Sequence, residues 1–418
     1  MPILELRDLH VSIAGVEILR GVSLSINEGE TLGIVGESGC GKSMTGLAII
    51  GLLPVYGKVT QGEVLLNGEN LVTAGERRLR QIRGGDIAMV FQDPFTSLNP
   101  AMRVGDQIAE AMVLHRSMSW RAARKEAVKM LESVKVPAPA STVRKYPHQL
   151  SGGQRQRVMV AMAFACRPKV LIADEPTTAL DVTLQAQILA LLTELQEQEG
   201  TAVILISHDI GVIGSVSDRI CVFYAGRVIE DGEARDVLRY PQHPYTQGLL
   251  ASLPGGEERL SSIPGQPPDF CSLGGECAFA PRCPHRFERC DVEPNLLRGD
   301  LEATKRRAME EKRTFVDLHQ SELDAGTVWA LPEEVARKHR AIPIRRDGTL
   351  FHVAMEKPED EVARDEVSKA LGARIIPSLA SADAIATAIE RIYGGVPKST
   401  VPHRTACWLV ERSEVRVG

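Results

Sequence analysis

Residues 1 to about 240 predict an α/β domain built on a sheet that is buried on both faces, and three observations predict it. Thr31 to Val35, Val170 to Ala173 and Ala202 to Ile206 are short apolar runs of the kind that cross the middle of a parallel sheet. Helical stretches alternate with them: Met44 to Leu53, and Asp181 to Glu199, which opens on a good N-capping residue and stops at Gly200. Between the first strand and the first helix lies a glycine-rich run, GESGCGKS, from Gly36 to Ser43.

The texture changes along the chain. Phe95 to Tyr146 holds no comparable strand and reads as a helical subdomain over about 95–150, with Trp120 to Ser133 its clearest helix. From Tyr240 to Asp291 proline, glycine and cysteine dominate, with HPYT at His243 to Thr246; this is a loop-rich module. From about Leu296 to Lys398 there follow a charged helix candidate (Arg298 to Arg313), a strand (Leu350 to Met355), a helix (Glu359 to Leu371), a strand (Arg374 to Leu379) and a helix (Ala382 to Tyr393). These make a small, self-contained α/β unit.

Composition narrows the function classes. The 418 residues are 44% hydrophobic and 25% charged, as in soluble globular proteins. A net charge of -5 provides no basic field for nucleic acid. No uncharged apolar run approaches the roughly 20 residues that a membrane-spanning helix needs. The opening MPILELRDLH, with Glu5 and Asp8, lacks the apolar core of a signal peptide. A cytosolic chain is therefore expected, and a transport role would need membrane-embedded partners.

GESGCGKS fits the phosphate-binding pattern G-x-x-x-x-G-K-[ST], with the required strand before it and helix after it. Such a loop (Gly36, Glu37, Ser38, Gly39, Cys40, Gly41, Lys42, Ser43, with Met44 opening the helix) turns backbone N–H groups toward a β-phosphate beside the positive end of a helix. Lys42 would reach the β- and γ-phosphates, and the Ser43 hydroxyl would hold Mg²⁺. An ordinary strand-to-helix turn is the plain alternative. Val170 to Asp174 is an apolar strand ending in a carboxylate, followed at once by Glu175. At the C-terminal edge of a sheet Asp174 would bind Mg²⁺, and Glu175 would polarise the attacking water. Leu150 to Gln154 reads LSGGQ; Ser151 and Gln154 form a capping box, and Gly152 and Gly153 remove Cβ atoms that would block a phosphate.

GESGCGKS, LSGGQ, VLIADEP, the ALD of Ala179 to Asp181 and His208 in ISHD together resemble the ABC ATPase family, over residues 1 to about 240 and in the family's order. The resemblance implies head-to-tail pairing of two nucleotide domains, the phosphate loop of one facing the LSGGQ helix of the other across ATP. It implies that Gln92 in FQDP senses Mg²⁺ and the membrane partner, that His208 contacts the γ-phosphate, and that Asp181 lies at the dimer interface. The chain departs from the pattern at one point. The family stacks adenine on an aromatic ring in the first hairpin, and VSIAG offers Ile13 there. Stacking contributes about 0.5–1.5 kcal/mol beyond area burial, which is modest beside a full phosphate grip.

FQDPFTSLNP, YPHQLSGGQRQRV, ADEPTTALDVT, HPYT and GECAFAPRCP (Gly275 to Pro284) resemble the oligopeptide/dipeptide importer branch, which nickel importers share in large part. The implied function is ATP hydrolysis powering peptide import, with nickel or another small solute as the alternative. A soluble ABC ATPase outside transport is the more distant one, since no second nucleotide domain or sustained heptad is visible. The implied partners are a second ABC ATPase subunit, two membrane permease subunits and, indirectly, an extracytoplasmic peptide-binding protein, at the cytoplasmic face of the inner membrane.

Eight cysteines are unevenly spread: Cys40, Cys166 and Cys221 are scattered, and the rest lie at or beyond Cys271. In a reducing cytosol such clusters more often hold a metal than form disulfides. Cys277-x5-Cys283-x6-Cys290 with Cys407 suits zinc or a [4Fe–4S] cluster, with Cys271 as a fifth candidate. Buried reduced thiols are the plain alternative. Some members of the resembled branch carry an iron–sulfur cluster here, and HRTACWL (His403 to Leu409) matches their closing segment.

Thr314 to Gly395, including ALPEEVARKHRAIPI and a final IYGG, resembles the N-terminal domain of type II secretion and type IV pilus assembly ATPases. Some relatives of that domain bind cyclic di-GMP through a repeated Arg–Leu–Gly motif, which this chain lacks. A packing or docking module is the expectation. The organisation expected is an ABC nucleotide-binding domain over 1–245, an importer-type C-terminal extension over 246–295 and 399–418, and the inserted α/β domain over 296–398 within that extension.

Overall fold

The computed structural model describes residues 2–92, 97–177, 181–239, 241–253, 263–294, 327, 330–347, 350–393 and 404–405. The helix expected over Arg298 to Arg313, most of the closing HRTACWL and parts of FQDPFTSLNP and ALD lie outside the described residues. The chain divides into two units, Met1–Arg239 with Tyr245–Arg286, and Tyr240–Pro244 with Phe287–Gly418.

The first unit carries two sheets. β1 (Leu4–Ile13) and β2 (Val16–Ile26) form a hairpin, and β4 (Gly57–Leu66) and β5 (Glu69–Asn70) extend it in the order β2-β1-β4-β5. The sequence runs that expose one face alternate between buried and open side chains along β1 and β2, and bulges interrupt the register. That broken alternation hid these strands from the sequence pattern.

The second sheet is made by β3 (Thr31–Val35), β6 (Ile87–Val90), β7 (Val170–Asp174), β8 (Ala202–Ser207), β9 (Arg219–Tyr224) and β10 (Arg227–Glu233), ordered β10-β9-β3-β8-β7-β6. Every residue of β3, β7 and β8 is buried. Their continuous apolar runs were the sequence signal, and burial on both faces is its cause. The pairs β9–β3, β3–β8, β8–β7 and β7–β6 are parallel, whereas β9–β10 is an antiparallel hairpin.

Helices cover this sheet. α1 (Lys42–Ile49) follows β3, and α2 (Glu76–Ile82) precedes β6. α1 starts and stops earlier than Met44 to Leu53: Gly41, at φ 106, turns the loop so that Lys42 opens the helix, and Gly51, at φ 63, closes it. α3 (Val104–Arg116) and α4 (Trp120–Ser133) form the helical subdomain, Ser119 capping α4. α5 (Gly152–Phe164) leads back to β7, and α6 (Val182–Glu199) to β8. α7 (Ile210–Val216), α8 (Ala234–Arg239) and α9 (Pro244–Ala251) follow. Behind the sheet, buried Arg219 pairs with Glu30 and Asp231 at 3.0 Å each, which satisfies two carboxylates at once.

The second unit holds α10 (Glu333–His339), β11 (Ala341–Asp347), β12 (Leu350–Met355), α11 (Glu361–Leu371), β13 (Arg374–Leu379) and α12 (Ala382–Tyr393). β11–β12 is antiparallel and β12–β13 parallel. Its own core joins Leu331, Ile342, Phe351, Val353, Val367 and Ile385, all at most 3% exposed. α11 begins at Glu361 rather than Glu359 because the Asp360 side chain caps it, accepting from the Ala363 N–H at 3.0 Å.

Candidate nucleotide site

Parallel pairing aligns the C-terminal ends of four strands. Val35 lies opposite Ser207, Asp174 opposite Ile206, and Ala173 opposite Val90. The residues that leave these ends, Gly36, His208, Glu175 and Gln92, therefore gather at one sheet edge.

Glycines shape the loop after β3. Gly39 and Gly41 hold φ values of 81 and 106, which only glycine adopts without strain. At Gly36 the reason is space: a Cβ would stand 2.3 Å from the Phe223 carbonyl oxygen and 2.8 Å from Cys40 Sγ. Lys42 is 5% exposed, and its ammonium donates to the carbonyls of Gly36 at 2.7 Å and Glu37 at 2.9 Å. It also lies 3.8 Å from the Cys40 sulfur, whose thiol pKa is raised by burial. The N–H groups of Lys42, Ser43 and Met44 are in the first turn of α1, where no intrahelical acceptor exists.

Ser43 Oγ donates to Asp174 Oδ1 at 3.0 Å, joining the tip of α1 to the end of β7. Burial pushes the Asp174 carboxyl above its usual range, and the Ser43 hydrogen bond opposes the shift. A hydroxyl and a buried carboxylate are oxygen donors of the type Mg²⁺ takes, and a cation there offsets the cost of burying the charge. Glu175 takes a left-handed conformation at φ 45, anchored by its N–H donating to the Ile206 carbonyl at 2.9 Å. Such a backbone costs on the order of 1 kcal/mol and aims the side chain off the strand direction. Its Oε2 accepts from Gln92 Nε2 at 3.1 Å and lies 3.3 Å from His208 Nδ1. Lys42, the Ser43–Asp174 pair and the Gln92–Glu175–His208 group thus gather at the same sheet edge.

Residues 19–178 match the family model for ABC transporters, residues 229–290 that for the C-terminal region of oligopeptide/dipeptide transporters, and residues 312–398 that for the MshEN domain. The dipeptide transport ATP-binding protein DppD of Bacillus subtilis is 51% identical over 298 residues, 69% of this chain and 89% of its own. The oligopeptide transport ATP-binding protein OppD of Salmonella typhimurium is 50% identical over 302 residues, 70% of this chain and 90% of its own. This chain belongs to the ATP-binding subunits of ABC transporters. A dimeric, post-hydrolysis ATP-binding cassette bound to ADP and Pi aligns with 56% of this ABC ATPase and 99% of its own chain, at 32% identity and a TM-score of 0.50. ATP hydrolysis is the chemistry of the family, and the fold is the ABC ATPase fold.

The remaining expected residues have distinct surroundings. Ser151 and Gln154 form the capping box: the Ser151 Oγ accepts from the Gln154 N–H at 3.4 Å, and Gln154 Oε1 accepts from the Ser151 N–H at 3.1 Å. A Cβ on Gly152 would meet nothing within 4 Å, whereas one on Gly153 would stand 2.7 Å from Leu184 Cδ2. Gly153 lets α5 approach the Leu184 side chain of α6 closely, a contact local sequence does not reveal. Asp181 caps α6, accepting from the Leu184 N–H at 2.9 Å. Ile13 ends β1, half-buried at the hairpin.

The cysteine expectation is not assembled among the described residues. Cys277 and Cys283 are half-buried and Cys290 is buried, and no group of three or more His, Cys, Asp or Glu side chains there could hold a metal ion. Cys407 lies outside the described residues. Tyr245 of HPYT and Arg282 of APRC, which no local pattern ties to the nucleotide site, reach the phosphate loop at Glu37.

Gly36→Ala should weaken ATP binding at least about tenfold, since the loop must retreat from Phe223. Titration with a fluorescent ATP analogue measures it; unchanged affinity would show that the loop tolerates the methyl group.

Proposed function

We propose that this chain hydrolyses ATP to drive import of dipeptides or oligopeptides by a membrane transporter. The observation that carries this reading is the grouping of Lys42, Ser43, Asp174, Glu175, Gln92 and His208 at one sheet edge, in a chain whose residues 229–290 match a peptide-transporter region.

In this reading Lys42 exchanges the Gly36 and Glu37 carbonyls for β- and γ-phosphate oxygens, and the α1 N–H groups hold the β-phosphate. Ser43 and Asp174 hold Mg²⁺, which neutralises phosphate charge when bound. Glu175 orients the attacking water and takes its proton, and Gln92 and His208 fix the carboxylate through Oε2. In the same reading His208 contacts the γ-phosphate, and Gln92 senses Mg²⁺ and the membrane partner. Ser151 and the N–H groups at the start of α5 close over the phosphates of a second ATP-binding subunit, a copy or a relative. The dimeric cassette matched above supports such pairing.

No described helix is long and apolar enough to cross a membrane, so the path would belong to two permease subunits. Those subunits would hold this chain at the cytoplasmic face of the inner membrane, with a peptide-binding protein acting on the far side. The segment over 296–398 is read as an inserted docking module, supported by the MshEN match. A zinc or [4Fe–4S] role for Cys277, Cys283, Cys290 and Cys407 rests on their spacing and on the resemblance of HRTACWL to the closing segment of cluster-bearing relatives.

Glu175→Gln should keep ATP binding and lower turnover about a hundredfold or more; normal hydrolysis by the variant would remove Glu175 from the role of base. Metal analysis of anaerobically purified protein tests the cysteines. Brown protein with iron and sulfide indicates a cluster, colourless protein with stoichiometric zinc a zinc site, and absence of both leaves plain thiols.

A further inference from the structure

Glu37 is an acid inside a loop shaped for phosphate, and Arg282 of the C-terminal extension and Tyr245, just before it, occupy its carboxylate and its N–H. Arg282, 7% exposed, meets the Glu37 carboxylate fork to fork, Nη1 on Oε2 at 2.6 Å and Nη2 on Oε1 at 2.8 Å. The Glu37 N–H donates to the Tyr245 hydroxyl at 2.8 Å. The third polar group, the Glu37 carbonyl, accepts from Lys42.

The clamp is itself rigidly held. Arg282 Nε donates to the Pro264 carbonyl at 2.8 Å, and Nη1 donates to the Tyr224 hydroxyl at 3.2 Å. Its guanidinium carbon lies 5.8 Å from the Tyr224 ring centre and 6.0 Å from that of Phe279. Tyr224, Tyr245 and Phe279 pack on one another with centres 4.7 to 5.5 Å apart. Arg282 and Phe279 come from the segment between Cys277 and Cys283, and Tyr245 from the start of α9. Two parts of the chain, both far from the loop in sequence, thus converge on one loop residue.

We propose that Arg282 is a positioning residue for the ATPase reaction: it neutralises Glu37 and, with Tyr245, sets the phosphate loop in its binding shape, so that the C-terminal extension is a working part of the ATP site. This inference rests on the loop's role in ATP binding. Without Arg282 an unpaired carboxylate remains beside the triphosphate and competes for Lys42. The pair acts on the loop that grips the nucleotide in the bound state and in the transition state alike, so it acts equally on both. Its loss should therefore raise KM and spare kcat.

The test is ATP hydrolysis and ATP-analogue binding by the full chain carrying Arg282→Met, Glu37→Gln, both together, or Arg282→Lys. Arg282→Met should raise KM roughly tenfold with kcat within about twofold. Adding Glu37→Gln should restore KM to within about threefold of wild type, because the repulsion is gone. A merely structural contact predicts no such rescue. Arg282→Lys keeps the charge but loses the fork, and should raise KM by an intermediate amount; it carries the test if Arg282→Met does not fold. Unchanged KM in either Arg282 variant, or a double variant as impaired as Arg282→Met, overturns the proposal. Failure of the wild-type chain to bind ATP would instead sink the reading of the loop itself.

Discussion

The parallel register of β3, β8, β7 and β6 sets the position of the nucleotide site: Asp174 ends β7, Glu175, His208 and Gln92 follow strand ends by one or two residues, and the loop leading to Lys42 and Ser43 starts directly after β3. Thr31 pairs with Val203 and Val170 with Ala202, so β3, β7 and β8 end level with one another. A slip of one residue would move Asp174 away from Ser43 and turn its side chain to the other face. Complete burial of the three strands makes such a slip costly, since it would shift apolar side chains on both faces. Core packing and catalytic geometry are therefore one constraint.

Within that frame, charge decides the local arrangement. Lys42 is buried among carbonyl oxygens and a thiol, and Asp174 is buried beside a hydroxyl. Both are groups whose burial is unfavourable until an opposite charge arrives. A triphosphate with its magnesium ion supplies both charges at once. Glu37 is the third charge at the loop, of the wrong sign for phosphate, and the guanidinium of Arg282 offsets it from the outer side. The extension that distinguishes this branch of ABC ATPases is thereby tied to the loop common to all of them.

Much of this could be read from sequence where the signal is local. Thr31 to Val35, Trp120 to Ser133 and Arg374 to Leu379 have the bounds that their patterns predict. The loop, the Asp174–Glu175 pair and the capping box follow from short strings whose chemistry is fixed by spacing. What sequence does not disclose is contact at a distance. Gly153 reads as a phosphate clearance, and its close approach to Leu184 is a further contact that no local string announces. Glu37 and Arg282 are 245 positions apart, and neither carries a pattern that names the other. The half-buried hairpin β1–β2 escapes because bulges break its alternation. The four-cysteine site depends on Cys407, which lies outside the described residues.

The phosphate grip, rather than base recognition, is what this geometry supports: the polar groups at the sheet edge suit a triphosphate, and Ile13, at the end of β1, offers no aromatic ring for stacking. Comparing equilibrium binding of ATP, GTP and AMP to the purified chain in the presence of Mg²⁺ tests this most directly. ATP and GTP should bind within about tenfold of each other, and AMP far more weakly than either. AMP binding as tightly as ATP would contradict a site built on Lys42, Ser43 and Asp174.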